Sequence, residues 1–468
     1  MVYDLVVLGG GPAGEKAAVA AAYFGKKVAL IERAKAGPGG ATVHTGTLPS
    51  KTLRETALYL TGFRRQGLYE GLGLELKDEN RSAQALMCRL PQITRTQAAQ
   101  IKANLDRHGV ELVQGSAQFL DAHRIQAGDQ ILEASHFFIA TGSSPRQPPP
   151  FDFSDPEIFD SDSILALEHL PESLAVIGGG VIGSEYACVF AAFGVKIEVV
   201  ERQSRLLSFL DDDISDALMD TMRRDGIQLH LDDGVQSIAR DGGDLVLTLT
   251  SGKVLRVDKA LISAGRLGNT QGLGLEAAGV AVDDRGLVKV DASYKSSAPH
   301  IYAGGDVVGR PGLASTAMEQ GRLAVSAMFG ITVPERDFEA LPSGIYTIPE
   351  ACACGPTERE LRAQNVPIVV GKSYMRHNSR GQIIGDTDGF VKLIFHQETQ
   401  RLLATHIIAE RATELIHVGQ AVMRLGGTLN YFIETVMSYP SLTVAYKYAA
   451  YDALGHLSQV GKRPSPLA

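Results

Sequence analysis

Two glycine-rich turns with identical spacing constrain the fold of this 468-residue chain more than any other feature. The first turn, Gly9–Gly14, and the second, Gly178–Gly183, each follow a run of four apolar residues. In both cases a glutamate, Glu32 or Glu201, stands 18 positions after the last glycine. This is the pattern of a strand, a tight turn, a helix and a second strand, in which the helix start receives a pyrophosphate and the acid binds ribose hydroxyls. The chain is therefore predicted to hold two dinucleotides and to pass electrons between them.

The composition is that of a globular protein with ample material for a core. Hydrophobic residues make up 44% of the chain, charged residues make up 21%, and the formal net charge is −8. Since no basic cluster is present, neither nucleic acid nor an anionic membrane surface is an expected partner. No apolar run reaches membrane-spanning length, and the first strand begins too close to Met1 for a removed signal peptide. A cytoplasmic location without a membrane span is expected.

The four cysteines do not form a recognisable redox or metal motif. Cys88 and Cys188 are isolated, and no pair has the spacing of a CxxC motif. Cys352 and Cys354 are expected to point to the same face of a strand, where packing is favoured over a metal or redox role. No metal site is predicted.

Breaks in the hydrophobic pattern divide the chain into three domains. The run Pro148–Pro150 ends the first segment, and a strand followed by a glycine turn at 301–306 is expected to return to it. The predicted boundaries are 1–150 and 268–340 for the first domain, 151–267 for the second and 341–468 for the third. The fold class is therefore α/β, with two Rossmann-like dinucleotide-binding domains and a C-terminal α+β domain.

Two long elements are predicted within the first segment. An amphipathic pattern predicts one helix over 84–108, and a strand signal runs over 124–138.

Further motifs carry a resemblance to a known family. Besides the two glycine-rich turns, they are Gly39–Lys51, Ala140–Gly142, Ala303–Asp306 and Tyr439–Ser441. Together they resemble the flavoprotein disulfide reductases, a family with two dinucleotide sites that includes dihydrolipoamide dehydrogenase and glutathione reductase. The resemblance covers nearly the whole chain. It implies FAD at the first turn, NAD(H) or NADP(H) at the second, and a homodimer whose interface is formed by the C-terminal domain.

The resemblance also implies a set of site residues. Lys51 is expected near the flavin N5 atom and paired with Glu185, as the catalytic pair. A buried cation there favours the negative charge that the flavin ring gains on reduction, and the carboxylate makes its burial tolerable. The implied cofactor-binding residues are Gly9, Gly11, Gly14, Glu32, Gly40, Thr47, Lys51, Ala117, Thr141, Gly142, Asp306, Ala314, Gly178, Gly180, Gly183, Glu185, Glu201 and Gly265.

The chain departs from the family at its redox cysteines and its catalytic base. Thr42 and Thr47 occupy the two cysteine positions, and a threonine hydroxyl cannot cycle between thiol and disulfide. Tyr439 stands in the position of the family's histidine, and Val444 in that of its glutamate. Dithiol exchange is therefore not expected.

Two polar residues have alternative interpretations. Asp306 is expected to accept hydrogen bonds from the ribityl chain of FAD; otherwise it caps the helix that begins near Leu313. His44 is expected to make a polar contact within its loop, in preference to donating a proton near the flavin.

The departures favour hydride transfer without a dithiol step. Residues 200–212 and 344–350 are similar to those of soluble pyridine nucleotide transhydrogenases, although these generally keep the first cysteine and the later glutamate. The leading hypothesis is transfer of hydride between NAD(P)H and NAD(P)+ through flavin, with the nucleotides binding in turn at one site. The alternatives are an NAD(P)H:quinone reductase or diaphorase and, with less support, a flavin-based redox sensor with little turnover.

The choice between NAD and NADP is open at this point. Glu201 is the acid expected of an NAD site and repels a 2′-phosphate. Arg202 and Arg205 are candidates to offset this repulsion, and solvated turn residues are an equally good interpretation of both.

Overall fold

The first glycine-rich turn lies between two buried parallel strands. The computed structural model of the protein describes residues 2–61, 82–309, 311–332 and 340–459. Strand β1 (Val2–Leu8) pairs in parallel with β2 (Val28–Glu32), and helix α1 (Pro12–Tyr23) connects them. Both strands are largely buried, as their continuous apolar runs predict. Pro12 opens the helix, where its fixed φ is favourable and its missing N–H costs nothing.

These two strands belong to a mixed sheet that includes a strand from much later in the chain. The other strands are β3 (Glu111–Gln114), β4 (Ala117–Phe119), β5 (Arg124–Ala127), β6 (Gln130–Ile139) and β17 (Ile301–Ala303). The order is β3-β2-β1-β6-β5-β4, and β17 pairs in parallel with β6. The helices of this unit besides α1 are α2 (Gly40–His44), α3 (Thr47–Thr61), α4 (Ala83–Met87), α5 (Leu90–Arg107) and α8 (Ala314–Phe329).

Two of the predicted elements are divided in the structure. The helix expected over 84–108 is broken at Cys88–Arg89, because Pro91 lacks an N–H and is favoured in the first turn of the new helix α5. The strand expected over 124–138 is the hairpin β5–β6, with Gly128 at φ +59° in its turn. The helix prediction was wrong at this break, whereas the strand signals are confirmed on both sides of the turn at residues 128–129.

The second glycine-rich turn lies in a separate parallel sheet. Its strands are β8 (Ile158–Asp160), β9 (Ser173–Ile177), β10 (Lys196–Val200), β11 (Gln228–His230) and β15 (Lys259–Ile262), in the order β11-β10-β9-β15-β8. Helix α6 (Val181–Ala192) connects β9 to β10, and α7 (Asp212–Arg224) connects β10 to β11. An antiparallel layer is formed by β12 (Val235–Asp241), β13 (Asp244–Leu249) and β14 (Val254–Val257). The antiparallel pair β7 (Ser143–Pro145) and β16 (Arg266–Gly268) lies where the chain enters and leaves this unit.

The C-terminal unit is an antiparallel sheet with helices. Its strands are β18 (Pro342–Ile345), β19 (Glu350–Cys354), β20 (Ile368–Tyr374), β21 (Phe390–His396) and β22 (Leu402–Ala409), in the order β18-β19-β22-β21-β20. Its helices are α9 (Glu358–Ala363), α10 (Ser379–Ile384), α11 (Ala412–Arg424), α12 (Leu429–Glu434) and α13 (Val444–Gln459). Cys352 and Cys354 are buried in the core of this sheet. In the described part of the chain, no helix is long and apolar enough to span a membrane.

One hydrophobic cluster joins all three units. It contains Leu53 of α3, Phe190 of α6 and Ile348 of the C-terminal unit, all of them buried. Helices α3 and α6 are therefore packed against each other and against the turn between β18 and β19. This arrangement brings the N-terminal part of α3 close to that of α6.

A buried lysine forms a second connection between the units. Lys392 of β21 is 1% exposed, and its Nζ lies 2.7 Å from Asp211, 2.5 Å from Asp213 and 2.7 Å from Glu358. Burial alone lowers the pKa of a lysine, but hydrogen bonds to these three carboxylates raise the pKa of Lys392. Asp211 also caps α7, so the lysine ties that helix of the second unit to the C-terminal sheet.

We expect Lys392→Met to lower the free energy of unfolding by about 3–5 kcal/mol, because it leaves buried carboxylates without a cation. Lys372→Met is the matched control, since Lys372 is 28% exposed and pairs with Asp213 at the edge of the cluster. Urea denaturation of both variants measures the difference. Equal and small losses in both would contradict the structural role given to Lys392.

Candidate functional site

The first glycine-rich turn leaves the start of α1 open to an anion. Gly9 has φ +100°, and a Cβ there would lie 2.5 Å from the Ala140 carbonyl oxygen. A Cβ at Gly14 would lie 1.9 Å from the Gly9 carbonyl oxygen, so helix and strand approach this closely only with glycine. Gly11 is the N-cap residue and offers no side chain to the first N–H groups of the helix. These N–H groups are available to a pyrophosphate.

The second turn repeats this geometry at the start of α6. Gly178 has φ +106°, and a Cβ at Gly183 would lie 1.9 Å from the Gly178 carbonyl oxygen. Gly180 is the N-cap residue, and a Cβ there would meet no heavy atom of the described chain within 4 Å. Both turns therefore suit the pyrophosphate of a dinucleotide.

The two glutamates that follow these turns accept hydrogen bonds from the backbone of the turns. Glu32 is buried and accepts hydrogen bonds from the N–H of Gly10 (2.9 Å) and of Ala34 (2.8 Å). Glu201 accepts from the N–H of Gly179 and from that of Gln203 (2.8 Å). Sequence reasoning assigned these carboxylates to ribose hydroxyls only. The structure adds that each carboxylate orients the backbone of its glycine-rich turn.

Residues from three other segments gather around the start of α1. Gly40 packs against the turn, since a Cβ there would lie 2.9 Å from the Gly11 Cα atom. Thr141 follows Ala140, the residue against which Gly9 packs. Asp306 lies in the turn after β17 and accepts a hydrogen bond from Ser143 Oγ (2.9 Å).

The remaining predicted cofactor contacts lie at the starts of elements. Ala117 starts β4, Ala314 starts α8, and Thr47 starts α3 with its side chain exposed. Gly142 and Gly265 directly precede β7 and β16, which pair with each other. These two glycines therefore lie where the chain crosses between the dinucleotide units.

Three buried hydroxyls belong to residues on segments next to the two turns. Among the described residues, none forms a hydrogen bond with the side-chain oxygen of Thr141, Tyr186 or Thr316. A buried polar atom without a partner costs about 1–3 kcal/mol, so such atoms indicate a bound polar group. Thr141 and Thr316 belong to the FAD unit, and Tyr186 follows Glu185 on α6. The chain thus fits FAD at the first turn and a nicotinamide nucleotide at the second.

Lys51 and Glu185 form an ion pair that links α3 to α6. Lys51 Nζ lies 2.8 Å from Glu185 Oε1 and 2.7 Å from Oε2, and also donates to Ser50 Oγ (3.2 Å). Glu185 is 5% exposed and Lys51 is 22% exposed. The pair forms because Lys51 and Glu185 are each the fifth residue of their helix, and α3 and α6 pack together.

A turn of the C-terminal unit completes this group. The N–H of Tyr346 donates to Glu185 Oε1 (2.9 Å), and Lys51 Nζ lies 4.8 Å from the centre of the Tyr346 ring. Arg54, 1% exposed, donates from Nε to the Thr347 carbonyl oxygen (2.9 Å) and pairs with Glu350 (3.3 Å). Sequence reasoning missed Tyr346 and Arg54. The one available signal was that Arg54 follows Lys51 by three positions, on the same side of the helix.

The thiols do not replace the absent redox pair. Cys188 lies on α6, and burial raises its pKa to about 12, so that it stays protonated. Burial also raises the pKa of Cys352, whose neighbour Cys354 is equally enclosed. All four cysteines are free, and Thr42 and Thr47 hold the positions of the family's disulfide. Among the described residues, no group of three or more His, Cys, Asp or Glu side chains is arranged to hold a metal ion.

The structure discriminates between the interpretations of Asp306 and His44. Asp306 does not cap α8, whose N-cap residue Leu313 has no side-chain hydrogen bond. His44 Nε2 lies 3.0 Å from the Gly37 carbonyl oxygen, which is the loop contact that was expected.

Tyr439, in the position of the family's histidine, lies on an exposed turn. Its side chain is 71% exposed, and its hydroxyl lies 2.5 Å from Ser379 Oγ. A hydroxyl cannot take the role of an imidazole that accepts and releases a proton near neutral pH.

The two arginines near Glu201 have different surroundings. Arg205 donates from Nε to Asp216 (2.7 Å) and approaches Asp212 (3.4 Å). Arg202 is exposed, forms no ion pair within the described part of the chain, and lies against Gly234. Only Arg202 is therefore available to an anionic ligand without breaking an existing pair.

The chain matches a family model over most of its length. Residues 3–321 match the pyridine nucleotide-disulphide oxidoreductases, and residues 341–450 match the dimerisation domain of these proteins. The predicted family, the α/β fold class and the expectation of FAD and a nicotinamide nucleotide are confirmed.

Individual relatives extend over the whole chain. A soluble pyridine nucleotide transhydrogenase from Marinobacter nauticus is 42% identical, with 97% of this chain and 99% of the relative covered. One from Mycobacterium tuberculosis is 41% identical, with 97% and 98% covered. Among solved structures, the HOCl-induced flavoprotein disulfide reductase RclA from Escherichia coli matches with a TM-score of 0.87 at 27% identity, covering 96% of this chain and 99% of RclA.

We expect Gly180→Ala to keep the stability of the protein while weakening NADH and NADPH binding about tenfold. The added methyl group has space in the protein but occupies the approach of the pyrophosphate. Gly183→Ala is the control, because its Cβ would strike the Gly178 carbonyl oxygen and is expected to lower the melting temperature. Unchanged nucleotide affinity in a stable Gly180→Ala variant would remove this turn from the site.

Proposed function

Because the chain belongs to the pyridine nucleotide-disulphide oxidoreductase family, we propose that it transfers hydride between NAD(P)H and NAD(P)+ with FAD as its only redox centre. The observation that carries this proposal is the Lys51–Glu185 ion pair between the two dinucleotide units, in a chain without the cysteine pair. Hydride transfer needs neither a thiol nor a general base. The whole-chain similarity to soluble pyridine nucleotide transhydrogenases supports it.

In this proposal the residues of the chain bind the two cofactors, orient them and place charges beside them. When bound, FAD supplies a ring that accepts a hydride and gives it up again. In this proposal the start of α1 and the start of α6 hold the two pyrophosphates, while Glu32 and Glu201 hold ribose hydroxyls. Lys51 supplies a positive charge that favours reduction of the ring, and Glu185 makes its partial burial tolerable. No side chain has to move a proton, which agrees with the loss of the family's histidine.

We further propose that Arg202, and not Arg205, accommodates the 2′-phosphate of NADP(H). Arg202 is adjacent to Glu201 and is unpaired among the described residues, whereas Arg205 is already bound to Asp216. A site with one acid for a ribose hydroxyl and one adjacent arginine for a phosphate suits both nucleotides in turn.

The proposal also covers the oligomeric state, the cellular location and the electron acceptor. The match of residues 341–450 to a dimerisation domain supports a homodimer, and a cytoplasmic location is proposed with it. A quinone is the alternative electron acceptor. It would bind on the side of the flavin where other members of the family have their dithiol. A redox sensor with little turnover is the third candidate.

A steady-state comparison on FAD-loaded protein tests the proposal. NADPH is the donor, and thio-NAD+ or a water-soluble quinone is the acceptor in parallel reactions. We expect robust reduction of thio-NAD+. Fast quinone turnover with little nucleotide exchange would favour the quinone reductase, and very slow flavin reduction by both NADH and NADPH would favour the sensor.

We expect Lys51→Ala to slow flavin reduction by about ten- to hundredfold while FAD remains bound, because the charge near the ring is lost. Stopped-flow reduction by NADPH and the flavin content of the purified variant measure the two effects. An unchanged rate would contradict the role of Lys51.

We expect Glu201→Gln to raise kcat/KM for NADPH relative to NADH by roughly fivefold, since a repulsion of about 1 kcal/mol is removed. Glutamine keeps an oxygen for the Gly179 N–H, which alanine does not, so the turn stays in place.

Arg202→Ala should lower kcat/KM for NADPH relative to NADH. Arg205→Ala is the control for this variant. A ratio that neither Glu201→Gln nor Arg202→Ala alters would exclude both residues from the choice of nucleotide.

A further inference from the structure

One aromatic residue of the C-terminal unit contacts both members of the Lys51–Glu185 pair. Tyr346 stands at the end of β18, in the turn that leads to β19. Its N–H donates to Glu185 Oε1, and its ring lies beneath the Lys51 ammonium group at 4.8 Å. Tyr346 is the one residue described here that holds the carboxylate through its backbone and the ammonium group through its side chain.

We propose that Tyr346 is a positioning residue that fixes the Lys51 charge for flavin reduction, an inference that rests on the proposed function. A lysine side chain is flexible, and its ammonium group has several orientations at which it still contacts a carboxylate. The aromatic face below Lys51 favours one of them, with an attraction that corresponds to about two- to tenfold in population at a partly buried site. The Glu185 carboxylate is held in turn by the Tyr346 amide, so both charges are oriented from the same residue.

The ring is itself held in place by its surroundings. The Tyr346 hydroxyl interacts with the Thr413 side chain. The Thr413 hydroxyl in turn donates a hydrogen bond to Glu350 Oε2 (2.9 Å). Arg54 binds the next residue, Thr347, and the same Glu350. Arg54 and Lys51 both lie on α3. Through Arg54, this helix binds the turn that carries Tyr346, and Tyr346 in turn contacts Lys51. The C-terminal unit thereby acts on the charge beside the flavin.

Tyr346→Leu and Tyr346→Phe test this role on the FAD-loaded protein. Leucine keeps the backbone amide and an apolar side chain but removes the aromatic face, whereas phenylalanine keeps that face. The flavin midpoint potential is measured by equilibration with a redox dye, and the rate of flavin reduction by NADPH is measured by stopped flow. We expect Tyr346→Leu to move the potential to a more negative value and to slow reduction about two- to tenfold. Tyr346→Phe should retain both properties.

Tyr374→Leu is the matched control. It removes another cation–aromatic contact of the same unit, in which the Arg376 guanidinium lies 4.2 Å from the ring of Tyr374. We expect it to leave the potential and the reduction rate unchanged. Lys51→Ala is measured alongside, so that a failure of this inference can be distinguished from a failure of the proposed function.

Three outcomes would overturn the inference. If Lys51→Ala changes the potential and Tyr346→Leu does not, the lysine acts without the tyrosine. If Tyr346→Phe is as impaired as Tyr346→Leu, the aromatic face is not the cause. If Lys51→Ala itself leaves the potential and the rate unchanged, the proposed role of Lys51 fails and this inference fails with it.

Discussion

The ion pair between Lys51 and Glu185 is the interaction on which the rest of the site depends. It joins the N-terminal parts of two helices that belong to different dinucleotide units, α3 and α6. A pair this enclosed is stable only when the remaining oxygen and nitrogen sites are also satisfied. Ser50 and the Tyr346 N–H provide these further contacts, and the hydrophobic cluster that contains Leu53 and Phe190 keeps the helices together.

The fold is intact without the family's disulfide. Thr42 and Thr47 are close in size to cysteine, so that the helices in which they lie still form. The reaction that these positions serve in the family is lost, because threonine has no accessible redox chemistry. The nicotinamide side is intact, with the second glycine-rich turn, Glu201 and the ion pair all in place. The result is a protein suited to exchange hydride and not to reduce disulfides.

Local steric rules account for what could be predicted from the sequence. Gly14 and Gly183 are required by the same 1.9 Å approach to a carbonyl oxygen, so that their spacing identified both dinucleotide-binding units. The resemblance to the flavoprotein disulfide reductases then implied which cofactor each unit binds. Tyr346 and Arg54 could not be predicted, because their roles depend on contacts between distant segments; Arg54 and Thr347 are 293 positions apart. The choice between Arg202 and Arg205 also required the structure, since only the position of Asp216 shows which arginine is already bound.

The central claim is that the bound flavin is the only redox centre of the protein. An anaerobic titration of the FAD-loaded protein with dithionite, followed by absorbance, tests it most directly. The account predicts that two electrons per flavin complete the reduction, and that no long-wavelength band of a thiolate–flavin complex appears. Uptake of four electrons per flavin, or the appearance of that band, would reveal a second redox group and contradict the account.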